Sequence, residues 1–124
     1  MQIAITLSDN KGLESTLSPI FGRCPFFMFI DPETKEFIIE ENASQSASGG
    51  AGIQAAQQII DKKAAAVISG RLGPKAHSVL LAASIPAFKS EGGSVEETLE
   101  AYKQKKLTSL IEPNADAHSG ERNA

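Results

Sequence analysis

Three glycine-bearing loops hold the side chains best suited to chemistry. Phe21-Gly22-Arg23-Cys24-Pro25 sets a cation beside the only cysteine of the chain. Ser48-Gly49-Gly50-Ala51-Gly52 and Ser69-Gly70-Arg71-Leu72-Gly73-Pro74 each run into a helical pattern. A neighbouring cation lowers a thiol pKa and favours the thiolate. Thiolate is the ligand of iron–sulfur and other soft-metal clusters. Helix N-termini present N–H groups and a positive dipole end to anions, and glycines let backbone approach closely. The chemistry these loops suit is binding of a metal cluster or another anion. A plainer reading stands beside it: free cysteines are commonly small buried hydrophobes, and glycines before helices serve close packing.

Several sharper motifs fail. Gly50-Ala51-Gly52-Ile53-Gln54-Ala55 fits G-x-G-x-x-G/A, but nothing acidic lies between Asp61 and Glu91 to hold a ribose. The loop before these glycines is also too long for a tight first βα turn. No Lys-Ser or Lys-Thr completes a P-loop, and no G-x-S-x-G elbow is present. His77 reads as a surface histidine of a helix, and His118 lies in a polar stretch. Neither has a partner at metal-ligand spacing, so no zinc site is expected. One cysteine cannot supply the four thiolates of an ordinary iron–sulfur centre. A transient carrier with one protein ligand and backbone N–H groups is compatible, as is a dimer pairing two Cys24 thiols on one cluster.

The elements that must position these loops follow from periodicity. Gln2 to Leu7 is a β-branched apolar run and reads as a buried strand. Phe26 to Ile30 and Glu36 to Glu41 flank the Asp31-Pro32 turn and read as a hairpin. Ala51 to Lys62 reads as a helix with Ile53, Ala56 and Ile60 on one face. Ala65 to Ser69 is a short strand. Pro74 suits the first turn of a second helix, in which Ala76, Val79, Leu80 and Ala83 share a face. Ile85 to Phe88 is a last strand. Ser94 and Glu97 form a capping-box pattern that opens a third helix, with Val95, Leu99 and Tyr102 inward. The order implies an α/β domain with a mixed sheet of about five strands, helices on its faces and right-handed parallel crossovers.

Composition sets the outer bounds. The 124 residues fit a single domain, expected over 1–110, with 111–124 as a polar, flexible tail. A formal net charge of -3 argues against nucleic-acid binding. The first residues lack the basic region and cleavage site of a signal peptide, and no apolar run could span a bilayer, so no membrane partner and a cytoplasmic location are expected.

Taken together, Ser18-Pro19-Ile20-Phe21-Gly22-Arg23-Cys24-Pro25-Phe26-Phe27, Gly49-Gly50-Ala51-Gly52-Ile53-Gln54-Ala55-Ala56 and Ser69-Gly70-Arg71-Leu72-Gly73-Pro74-Lys75-Ala76 resemble the dinitrogenase iron–molybdenum cofactor biosynthesis family. Gly93 to Tyr102 resembles that family's final helix, and the resemblance runs from about Met1 to Leu107. It implies a ribonuclease-H-like three-layer α/β fold without nuclease carboxylates. It also implies a non-enzymatic protein that binds or carries iron–molybdenum cofactor, a precursor or a related metal–sulfur cluster between donor and acceptor proteins. Carried over by position, the site residues are Arg23, Cys24, Gly49, Gly50, Gly52, Arg71 and Gly73, with Cys24 as the metal ligand, the arginines neutralising charge and the glycines admitting close approach. The alternatives are a regulatory module binding a small anion or phosphate compound at the helix N-termini, and a plain interaction domain.

Overall fold

The computed structural model describes residues 1–45 and 49–110. Strand β1 (Ile3–Leu7) forms the middle of the sheet, and all five of its residues are buried. Period-2 alternation gives each face of the strand its own core. Ile3, Ile5 and Leu7 point to one side and Ala4 to the other. β2 (Phe26–Ile30) and β3 (Phe37–Glu41) form the expected hairpin, with β2 antiparallel to β1 in a register that pairs Ile5 with Met28. The turn is fixed by Asp31, whose Oδ1 accepts the N–H groups of Glu33 and Thr34 at 2.8 and 3.3 Å.

The second half supplies the parallel strands. Helix α1 (Ala51–Asp61) leads to β4 (Val67–Ser69), which pairs parallel with β1. Helix α2 (Pro74–Ala82) leads to β5 (Ala87–Lys89), parallel to β4. Helix α3 (Val95–Lys103) leads to β6 (Thr108–Ser109), a two-residue edge strand antiparallel to β5. The sheet order is β3-β2-β1-β4-β5-β6. The described residues thus form six strands rather than about five, because β6 is too short to leave a periodic signal. The expected tail, 111–124, lies outside the described residues.

Helices cover both faces. α1 and α2 pack over Phe27, Phe29 and Val67, while α3 packs over Ile5, Met28 and Ile68 through Val95 and Leu99. α3 carries the expected capping box: Ser94 Oγ accepts the Glu97 N–H at 3.2 Å, and Glu97 accepts the Ser94 N–H at 3.1 Å. The inward face of α1 differs from expectation. Ala51, Ala55, Ala56 and Ile59 are buried, Ile60 is partly buried, and Ile53 is 42% exposed. The reason is the close approach of α1 to α2: a Cβ on Gly52 would stand 3.4 Å from the Ala76 Cβ, so small residues occupy the seam. In α2 the buried residues are Ala76, His77 and Leu80, whereas Ala83 is exposed.

Candidate functional site: an arginine-flanked hollow at two helix N-termini

The carboxyl ends of β1, β4 and β5 lie at one end of the sheet, where open α/β sheets bind ligands. Thr6 donates to Ser69 Oγ at 3.0 Å and joins the ends of β1 and β4. The segment after β1 crosses this end as an ordered strap. Leu17 N–H donates to Gly93 O at 3.0 Å, Ser18 N–H to Thr6 O at 2.9 Å and Arg71 N–H to Pro19 O at 2.8 Å. The strap and the β4–α2 loop meet without room for a side chain. A Cβ on Gly70 would fall 2.4 Å from Pro19 O. Gly22 is similarly confined, with its Cβ position 3.1 Å from Gly52 N.

These close approaches form an open hollow of about 390 Å³ lined by Ile20, Phe21, Gly22, Arg23, Ala51, Gly52, Arg71 and Gly73. α1 and α2 both begin there. Their N-caps are Gly50 and Gly73, which have no side chain to accept the first N–H groups, unlike α3 with its capping box. The first N–H groups of a helix have no intrahelical acceptor, and the dipole end is positive. Gly50 takes the left-handed conformation (φ +71°), which glycine reaches without a Cβ penalty. Both guanidinium side chains are exposed at the hollow. Arg23 Nη1 donates to Gln45 O at 3.1 Å, and among the described residues Arg71 has no ion pair.

Of the residues expected from sequence, Arg23, Gly52, Arg71 and Gly73 line one hollow. Gly49 and Gly50 stand immediately before it, at the start of α1. Cys24 does not join them. Its side chain is fully buried beside Phe21 and Phe27 in the core under α1 and α2. Burial pushes its thiol up from 9.0 to about 12, against a smaller downward pull from the Asn42 amide. The expected activation of Cys24 by Arg23 is therefore corrected. Gly22 and Arg23 form a turn closed by the Cys24 N–H to Phe21 O at 3.4 Å, so Arg23 stands at the exposed corner while Cys24 enters the core. His77 is corrected as well: it is buried, and its Nε2 lies 3.0 Å from Leu110 O.

Sequence reasoning missed Asn42. Its buried amide donates to Gly22 O at 3.0 Å and to Cys24 O at 2.8 Å, and its Oδ1 accepts from Ser44 N–H and Oγ at 2.9 and 2.6 Å. It clamps the arginine loop to the segment that leaves β3. A lone asparagine after a strand carries no signal of this role. Among the described residues, no three His, Cys, Asp or Glu side chains gather as metal ligands. No helix among them is long and apolar enough to cross a membrane.

A family model described as dinitrogenase iron–molybdenum cofactor matches residues 1–105. An uncharacterized protein of Methanocaldococcus jannaschii is 33% identical over 110 residues, covering 86% of this chain and 89% of that protein. The apo form of the orange protein from Desulfovibrio gigas has a similar structure, with a TM-score of 0.87 and 32% identity over 92% of this chain and 96% of that one. A putative NifB protein from Thermotoga gives a TM-score of 0.80 at 26% identity, over 94% of this chain and 98% of that one. The sequence motifs, their gathering at one end of the sheet and these similarities agree: the chain belongs to the dinitrogenase iron–molybdenum cofactor family.

Proposed function

We propose that the chain is a non-enzymatic binding or carrier protein for an anionic metal–sulfur cluster, such as iron–molybdenum cofactor or a precursor, received from a donor protein and passed to an acceptor. The observation that carries this reading is the convergence of two arginines and two helix N-termini without side-chain caps on one open hollow. Such a donor set suits a polyatomic anion held by charge and N–H groups, and does not require a bond from a protein side chain to the metal. An open hollow also suits cargo that must leave again. The family membership and the apo form of the orange protein as a structural relative support a cluster as the anion. We read the fold as ribonuclease-H-like from its mixed sheet and covered faces; β1 carries no acid, so nuclease chemistry is not part of the reading.

The test is anaerobic reconstitution with iron, sulfide and molybdate, followed by desalting, metal analysis and visible absorbance. Wild type and Cys24→Ala are expected to retain metal and charge-transfer bands. Arg23→Ala/Arg71→Ala is expected to lose them. Colour lost in Cys24→Ala but kept in the arginine variant would overturn the proposed mode of binding. Colourless wild type that is stabilised by phosphate alone would replace the cluster with a small anion.

A further inference from the structure

A second cavity, about 610 Å³, lies at the opposite end of the sheet from the arginine hollow. One wall is the β2–β3 turn with Pro32, and the other is Tyr102 near the end of α3 with Leu107 of the segment between α3 and β6. Phe88 of β5 and Met1 complete an apolar lining. Phe88 and Tyr102 meet edge to face, with centroids 5.6 Å apart and planes at 80°, so the aromatic surface is held in place by its own packing. This cleft, with walls from separate elements, falls in the size range of small-molecule sites.

The charges at its rim are unequal in their commitments. Asp31 is engaged by the N-terminal ammonium at 3.5 Å and by the N–H groups of Glu33 and Thr34. Glu33 remains as an exposed carboxylate. Lys103 and Lys105 are exposed at the rim, and neither forms an ion pair among the described residues. Two uncommitted cations against one uncommitted anion leave the mouth of an apolar cleft positive.

We propose that this cleft binds a small amphiphile: a flat apolar or aromatic body seated on Phe88, Tyr102 and Leu107, with an anionic head group at Lys103 and Lys105. The site is separate from the arginine hollow, and its ligand does not depend on the cluster reading.

Tyr102 is the only tyrosine, and the chain has no tryptophan. Tyrosine emission therefore reports on this cleft alone. The full chain is titrated with anilinonaphthalene sulfonate, an anionic aromatic probe, and with phenylnaphthylamine, its neutral counterpart. Saturable one-to-one binding of the sulfonate with quenching of Tyr102 is expected. Lys103→Glu/Lys105→Glu should weaken the sulfonate at least about fivefold, as reversal of two exposed charges allows, and leave the neutral probe unchanged. Lys11→Glu/Lys75→Glu makes the same change in net charge at exposed residues outside the cleft lining and should bind as wild type does. Equal loss in both charge variants, non-saturable binding or unquenched Tyr102 would each overturn the proposal.

Discussion

Iodoacetamide applied to the native chain near pH 8 tests the placement of Cys24 directly. The reactive species is the thiolate. A thiol at its ordinary value of 9.0 is roughly one-tenth ionised at that pH, whereas one raised to about 12 is ionised to about one part in ten thousand. Ionisation alone therefore slows alkylation by about a thousandfold, and the closed core around the sulfur slows it further. The expected outcome is labelling in the native chain at least three orders of magnitude slower than in urea, measured by mass spectrometry. The same burial predicts an alkaline signature. The unfolded thiol loses its proton above 9.0 while the folded one keeps it until about 12. The unfolded state then binds fewer protons, so stability falls as pH rises through this window. The full effect is about 4 kcal/mol, and it should be missing from the pH dependence of Cys24→Ala, read from urea midpoints. Native labelling within tenfold of the unfolded rate would refute the reasoning and return Cys24 to the set of accessible ligands.

Gly70→Ala should cost about 2–3 kcal/mol, because its methyl would collide with the Pro19 carbonyl, whereas Gly49→Ala, with nothing within 4 Å of its Cβ, should stay within about 0.5 kcal/mol in thermal melts. Asn42→Ala removes the amide donor from the Cys24 carbonyl and one of the two side-chain donors to the Gly22 carbonyl, and should lower the melting temperature on the order of 10 °C and weaken binding at the hollow. Asp31 is held below the usual carboxylate range by the Glu33 and Thr34 N–H groups. Its stabilisation is present above the ordinary carboxylate pKa and is lost as pH falls through the lowered value, so Asp31→Asn should flatten that part of an acid denaturation curve.

Much of the frame was legible because local signals coincided with tertiary needs. The β-branched run of β1, the Asp31-Pro32 turn and the Ser94–Glu97 box each carry their own local physics. The inward face of α1 was not legible. Pattern reading follows the largest apolar residues, but a tight seam selects the smallest, and Ile53 was left outside. The hollow was half legible. Glycine and arginine in loops before helices marked its rim, while the opposite orientations of Arg23 and Cys24 depend on how the chain lies across the sheet. His77 reaches Leu110 through a contact between distant segments, which spacing along a helix does not encode.

The pinch between Pro19 and Gly70, together with that between Gly22 and Gly52, bears on the order of events during synthesis. Each joins the first quarter of the chain to a segment made much later. Neither arginine meets the helix ends until β1, α1, β4 and α2 have all taken their places. A growing chain that has emerged only as far as Cys24 has no hollow to offer, so an anion finds no site there until the start of α2 has followed. The hollow thus comes into being only late in synthesis, and a chain arrested before β4 lacks Arg71, Gly73 and the second helix end.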